Sequence, residues 1–478
     1  MLTGPRPTRK VSTLEGGAGG NRLLFVLSWQ TIVYFEALEA EPYLKVLIMG
    51  RLASEVETWL RAGFSFPNLA GQKEIFSSFL LLGIVALFCF NIYPCLLTRF
   101  DYPALEQRYN NWIGDIGNVN WFISDSDIYA IAGWKYVNGA TPDDFNFEHP
   151  PLAKYLIGLS ELVFGNQNAM SAIFGVLSLL IVYELAKKVM FDPIFSLVPV
   201  YMLSLERLYL ELSSTSMLDI YLVFFLLLSV LLFITSKSNF RTLLAFATLG
   251  LATACKVIAA LAFLPIVAVL VMERKRPLKS ILVYVLAALL AYCGTYALFF
   301  FSGHGLADFV QLQLKMVGLH YGARSRLTYP SGRWLLTLLT GIIGPETRYL
   351  IYTGENIGNL TVLVESGLHI AREFNPLTWP LCFSSAVLSL YQGVKTRTKP
   401  LIHSSLFFFT FLAFLSIGPA QTWHLLPLFP VGLIILADSL RKIYEESDRD
   451  VSLLLLLVYL VSLYLWLTLV KVPTFLQL

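Results

Sequence analysis

Long apolar stretches alternate with short polar ones along most of the chain. Crossing a hydrocarbon core takes a helix of about 17–25 apolar residues. Runs of that length, or close to it, lie near 75–97, 169–187, 194–210, 217–235, 242–254, 257–272, 280–301, 377–393, 401–418, 424–440 and 451–471. The pattern predicts an all-α polytopic membrane protein with about eleven transmembrane helices. The two short halves at 242–272 predict a kinked or broken passage. A further apolar run, Leu152–Phe164, has the length of an interfacial or re-entrant segment rather than a span.

Charge sets the orientation of this pattern. The basic connectors are Lys187-Lys188, the Lys237–Arg241 turn, Arg274–Arg276 with Lys279, Lys395–Lys399 and Arg441-Lys442. Eleven spans and a cytoplasmic N-terminus bring all of them to the cytoplasmic side, as the positive-inside rule requires. Counting 152–164 as a span would move them all outside, so that segment is expected to lie on, or dip into, the outer face. Residues 1–74 then form a cytoplasmic extension, and 75–478 form the transmembrane domain with two long outer loops, 98–168 and 302–376. Glu36, Glu39, Glu41, Glu55 and Glu57 interrupt the extension's hydrophobicity and suit an amphipathic surface helix. A polar, Gly-rich and basic start gives no sign of a cleavable signal peptide.

Composition agrees with this reading. The chain is 56% hydrophobic and 14% charged, with mean hydropathy +0.65, whereas a soluble domain carries about 25% charged residues. A formal charge of +3 does not suggest a nucleic-acid partner. The cysteines at 89, 95, 255, 293 and 382 fall in or beside apolar runs and read as small core residues. No His/Asp/Glu cluster has the spacing of a metal site, so none is expected.

The candidate chemistry lies in the outer loops. Residues 98–154 hold eight acidic and four basic side chains. Asp125 and Asp127 fall where helical spacing begins (Tyr129, Ala130, Gly133, Trp134), so capping competes with catalysis as their role. Lys154 sits at an apolar boundary, where lysine commonly snorkels. Lys256 lies between two apolar half-segments on the expected outer side, against the usual charge bias, which suggests an anionic partner. Asp219 opens an apolar span there, as a cap or as the partner of a cation. In the second loop, Phe309, Leu312, Met316 and Leu319 share one face of an amphipathic run. Arg324, Arg326 and Arg333 follow among aromatics; their forked guanidinium groups suit a phosphate, whether of a substrate or of a lipid headgroup.

"Asp125-Ser-Asp-Ile-Tyr129" and then "Glu148-His-Pro-Pro-Leu-Ala-Lys154" resemble the first outer loop of protein O-mannosyltransferases and the related aminoarabinose transferases. These are GT-C superfamily glycosyltransferases that use lipid-phosphate sugars. "Met217-Leu-Asp219", "Gly250-Leu-Ala" with Lys256, "Tyr329-Pro-Ser", "Asn375-Pro-Leu-Thr-Trp379" and "Leu426-Pro-Leu-Phe-Pro430" extend the resemblance over roughly residues 100–440. Two departures stand out. Ser126 occupies the place of the family's usual glutamate, with Asp127 as its substitute, and Asn166–Ala172 lacks the arginine expected near the second span.

The resemblance implies a membrane glycosyltransferase whose donor is a polyprenyl- or dolichyl-phosphate sugar. Its acceptor is a hydroxyl on protein, lipid or glycan, and its site faces outward, on a prokaryotic plasma membrane. It also implies Asp125 as general base, with Asp127 as the second acid, and Lys154, Lys256, Arg324, Arg326 and Arg333 on the donor phosphate. Tyr129, Glu148, His149 and Asp219 contact sugar or acceptor, or order the loop. Two other classes remain: a transporter or flippase of lipid-linked sugars, and an inactive lipid-binding homologue.

Overall fold

A computed structural model describes residues 70–114, 123–272, 278–326, 342–343, 346–348, 363–365, 369–370, 374–417, 422–446 and 449–469. It is helical, apart from two short antiparallel ladders that pair Ile342 with Ile370 and Thr347 with Val364. Arg333 and residues 1–69 of the N-terminal extension lie outside the described residues, as do the side chains of Arg324 and Arg326.

Each apolar run forms helix, and the breaks fall at polar residues. The elements needed below are α1 (Ala70–Leu96), α2 (Tyr102–Gly114), α3 (Asp125–Val137), α4 (Leu152–Phe164), α5 (Ala169–Met190), α6 (Leu197–Leu205), α7 (Arg207–Ser213), α8 (Leu218–Ile234) and α9 (Asn239–Cys255). After a 3₁₀ turn come α10 (Phe263–Met272), α11 (Leu278–Gly294), α12 (Ala297–Phe301) and α13 (Leu306–Arg326). The chain finishes with α14 (Thr378–Thr396), α15 (Lys399–Ile417), α16 (Leu428–Glu446) and α17 (Arg449–Leu469).

Among the described residues, Gln72–Leu96, Ala169–Met190 and Arg449–Thr468 are long and apolar enough to cross a membrane, and α7 with α8 forms a further candidate bent by 105°. The single helix expected over 194–210 is two. Glu206 is extended there (ψ 121°), and its buried carboxylate accepts from Asn375 N at 3.1 Å and Thr378 Oγ1 at 3.2 Å. The passage expected to be broken at 242–272 does break, at Lys256 (φ −158°, ψ 127°). The run expected over 280–301 turns at Tyr296 before the short α12.

The first long loop is a compact helical layer with its ends fastened together. Phe100 N donates to Gly165 O, and Asn166 Nδ2 to Cys95 O, each at 2.9 Å. Pro150-Pro151 precedes α4, because proline suits the start of a helix and not its interior. Gly165 ends it at φ 60°, a left-handed residue that glycine adopts without steric cost. Where α3 crosses α4 the backbones touch. A Cβ on Gly158 would lie 2.2 Å from Gly133 O, and one on Gly133 would lie 2.6 Å from Gly158 N. Such close approach through small residues is a device of membrane helix packing.

The amphipathic reading of the second loop's first helix holds. Phe309, Leu312 and Met316 of α13 are buried, while Leu306, Leu314 and Val317 are exposed. Phe309 and Leu312 form an apolar cluster with Tyr296 and Phe299, against which Phe147 of the first loop packs.

Candidate active site

Ser124 starts α3 as its N-cap and makes a capping box with Asp127. The Ser124 hydroxyl accepts from Asp127 N at 3.2 Å, and Asp127 Oδ2 accepts from Ser124 N at 3.4 Å. The same oxygen takes a hydrogen bond from the Ser124 hydroxyl at 2.9 Å and pairs with Arg108 of α2. In this structure Asp127 is thus engaged at the helix start and at the α2–α3 junction.

Asp125 is the first residue of α3, and its carboxylate has no hydrogen-bond or ion-pair partner among the described residues. The side chain reaches solvent while protein crowds its remaining sides. That crowding, ahead of the negative charge on Glu148, pushes its carboxyl up to about 6; Lys256 pulls it down and Asp219 pushes it up again. The acid therefore sits within reach of charges from three separate elements.

Two of those charges neutralise each other. Lys256 Nζ, at the break after α9, donates to both oxygens of Asp219 at 2.9 and 3.0 Å. Both side chains are buried, at 5% and 1% exposure. Burying a charge is costly unless it is paired, and this pairing explains how Asp219 and Lys256 both lie inside apolar surroundings. Ser216 beside them donates to Ser126 O at 2.8 Å, joining the start of α8 to the first turn of α3. Ser126, which replaces the resemblance's glutamate, is buried and hydrogen-bonds Ser124 at 2.8 Å.

The Asn146–His149 segment closes another side. Asn146 is left-handed (φ 50°) and donates to Glu148 at 2.6 Å. The His149 ring meets Tyr129 edge-on, with centroids 5.9 Å apart. Tyr129 is buried, and that burial, with the charges of Asp125 and Glu148, keeps its phenol protonated well beyond the ordinary range.

Lys154 points into the protein rather than to solvent. Its side chain is fully buried, and Nζ donates to the carbonyl oxygens of Asn146 and, at 2.8 Å, His149, with the Tyr136 ring centroid at 5.6 Å. Burial lowers its ammonium to about 7. In this structure Lys154 holds the loop, the task also considered for His149.

Sequence reasoning missed three charged residues. Arg108 carried no local signal, since its partner lies 19 positions away. Glu161 faces inward from α4 with both carboxylate oxygens buried and unpartnered among the described residues. Burial raises its carboxyl to about 9. Glu206 did carry a signal: an acid inside an apolar run.

Residues 148–298 match the protein family described as dolichyl-phosphate-mannose-protein mannosyltransferase. The match takes in Glu148, His149, Lys154, Asp219 and Lys256 and begins after Asp125. No curated protein matches the chain. Among solved structures, ArnT from Cupriavidus metallidurans bound to undecaprenyl phosphate is similar, with TM-score 0.52 and 14% identity over 73% of this chain and 72% of that one. The archaeal oligosaccharyltransferase AglB from Archaeoglobus fulgidus, in complex with an inhibitory peptide and a dolichol-phosphate, aligns with TM-score 0.45 and 14% identity over 82% of this chain and 56% of that one. The chain thus carries the mannosyltransferase pattern across residues 148–298, on a fold similar to that of ArnT.

Proposed function

We propose that this membrane protein transfers a sugar, mannose or one like it, from a polyprenyl- or dolichyl-phosphate to an acceptor hydroxyl. The site faces outward across a plasma membrane, on a bundle of eleven spans. The acceptor oxygen attacks the anomeric carbon, the bond from that carbon to the phosphate oxygen breaks, and the configuration inverts. Asp125 takes the acceptor's proton as the new bond forms, the work of a positioned general base. The phosphate leaves with the bonding electrons and needs positive charge more than a proton. Arg324, Arg326 and Arg333 supply that charge from the second loop, and Lys256, paired with Asp219, contributes only through the local field of the pair. Tyr129, Glu148 and His149 line the sugar or acceptor side.

One observation supports this reading above the others: a solvent-accessible carboxylate at the head of α3 without a hydrogen-bond or ion-pair partner among the described residues, close to the paired Lys256 and Asp219. The test is transfer of radiolabelled sugar from defined polyprenyl-phosphate donors in reconstituted vesicles. Wild-type protein should label the acceptor, and Asp125→Asn should not. Transfer by the variant at the wild-type rate removes Asp125 from the base role. Movement of intact lipid-linked sugar between leaflets without transfer would instead establish the flippase reading.

A further inference from the structure

A second concave site lies at the far end of α8. From Asp219 to Leu231–Ile234 is about 20 Å of helix axis at 1.5 Å per residue, so this site is separate from Asp125 and its neighbours. It is a cavity of roughly 540 Å³ between the ends of α5 and α8 and the start of α9. Lys188, Lys237 and Arg241 line it on one side, and Leu231, Leu232 and Ile234 on the other.

Its cations are available. Lys188 and Lys237 are exposed, and neither has a hydrogen-bond or ion-pair partner among the described residues. The one acid in the wall, Glu184, is 3.5 Å from Lys187, which offsets its repulsion of an anion. The turn carrying two of the cations is held in place. Arg241 Nη1 donates to Thr235 O at 3.1 Å, Ser238 caps α9 by accepting from Arg241 N at 3.2 Å, and Ser236 hydrogen-bonds Thr242 at 2.7 Å. That leaves the rest of the Arg241 guanidinium to face the cavity with a small ordering cost.

We propose that this cavity binds an anionic glycerophospholipid from the leaflet opposite the glycosyl-transfer site. The headgroup phosphate sits among Lys188, Lys237 and Arg241, and an acyl chain runs against Leu231, Leu232 and Ile234. A phosphate meets forked and point charges of the right sign there. The apolar wall selects a lipid over a free phosphate, because a soluble anion would leave that wall wet. Basic recesses between transmembrane helices suit anionic headgroups on electrostatic grounds. The proposal holds whatever the transferred sugar is, and its test needs no transfer assay.

The experiment purifies the full chain from mixed vesicles of phosphatidylglycerol and phosphatidylcholine and measures the lipid retained by mass spectrometry. Wild-type protein should keep phosphatidylglycerol in preference to phosphatidylcholine. The triple variant Lys188→Gln/Lys237→Gln/Arg241→Gln should lose that preference by about tenfold or more, each surface cation being worth ~1 kcal/mol toward an anionic lipid. Lys395→Gln/Arg397→Gln/Lys399→Gln removes as much charge from other basic residues and should keep it. If the triple variant does not fold, Lys188→Gln alone should lower the preference by about fivefold. Equal retention by both triple variants, no preference in the wild type, or full displacement by excess inorganic phosphate would each overturn the proposal.

Discussion

The first turn of α3 and the break before residue 257 use their charges in opposite ways. At the break, Lys256 and Asp219 bond each other twice and are buried together. In the turn, two aspartates two positions apart are treated unequally: Asp127 is bound by Ser124 and Arg108, while Asp125 has no such partner. A pair satisfied by its own members supports structure and sets a local field. A charge left unsatisfied is available for a substrate. The difference also separates the two buried lysines. Neutral carbonyls hold Lys154, which fixes a loop, whereas a carboxylate holds Lys256.

The largest effect is expected where the charge is unspent. Asp125→Asn should lower sugar transfer by about 10²–10⁴, the usual worth of a general base, with the thermal midpoint unchanged. A loss of midpoint equal to the loss of rate would move Asp125 to the structural side. The break should respond in stability instead. Lys256→Met leaves Asp219 buried without its partner and should cost about 3–5 kcal/mol. Lys256→Met/Asp219→Leu should recover most of it in a detergent denaturation series, because the lone charge is gone. Failure of the double variant to recover would mean that the pair does more than satisfy itself.

Acidity sharpens the contrast further. A base with its carboxyl near 6 must lose its proton to act, so transfer should fall about tenfold per unit as pH drops below about 6 and level off above it. Asp125→Asn should remove that limb from any residual rate.

Glu161 adds a third case, a buried acid with no partner among the described residues. Its folded carboxyl is raised from 4.5 to about 9, so the folded state holds one proton more than the unfolded state between those values. Stability should therefore fall as pH rises through that window, at up to about 1.4 kcal/mol per unit from this group. Glu161→Gln should flatten the slope in melts taken from pH 5 to 9; an unchanged slope would show that Glu161 finds a partner in the membrane. The smallest effect belongs to Asp127→Asn, about 1 kcal/mol for a weakened cap, with transfer kept within tenfold.

Sequence patterning found most of the architecture because apolar runs and polar breaks are local properties. It located the helices at 169–190, 218–234 and 449–469 closely and anticipated the break at Lys256. It treated 194–210 as continuous, because the partners that draw Glu206 out of the helix lie about 170 positions away, at Asn375 and Thr378. The site was legible in part for the same reason. Residue type and motif pointed to Asp125, Asp219 and Lys256, but a side chain's acceptor is a tertiary fact. Hence Lys154 looked like a free cation, and Arg108, which occupies Asp127, went unnoticed.

The contact between Gly133 and Gly158 has a consequence for heredity. A mutation at either position that adds a single carbon forces α3 and α4 apart and carries the head of α3 with them. A saturation screen scored on growth would therefore tolerate as little change at these two glycines as at Asp125. Variants that swap one glycine would survive only with a compensating shift in the opposite helix, so the two sites are bound to drift together.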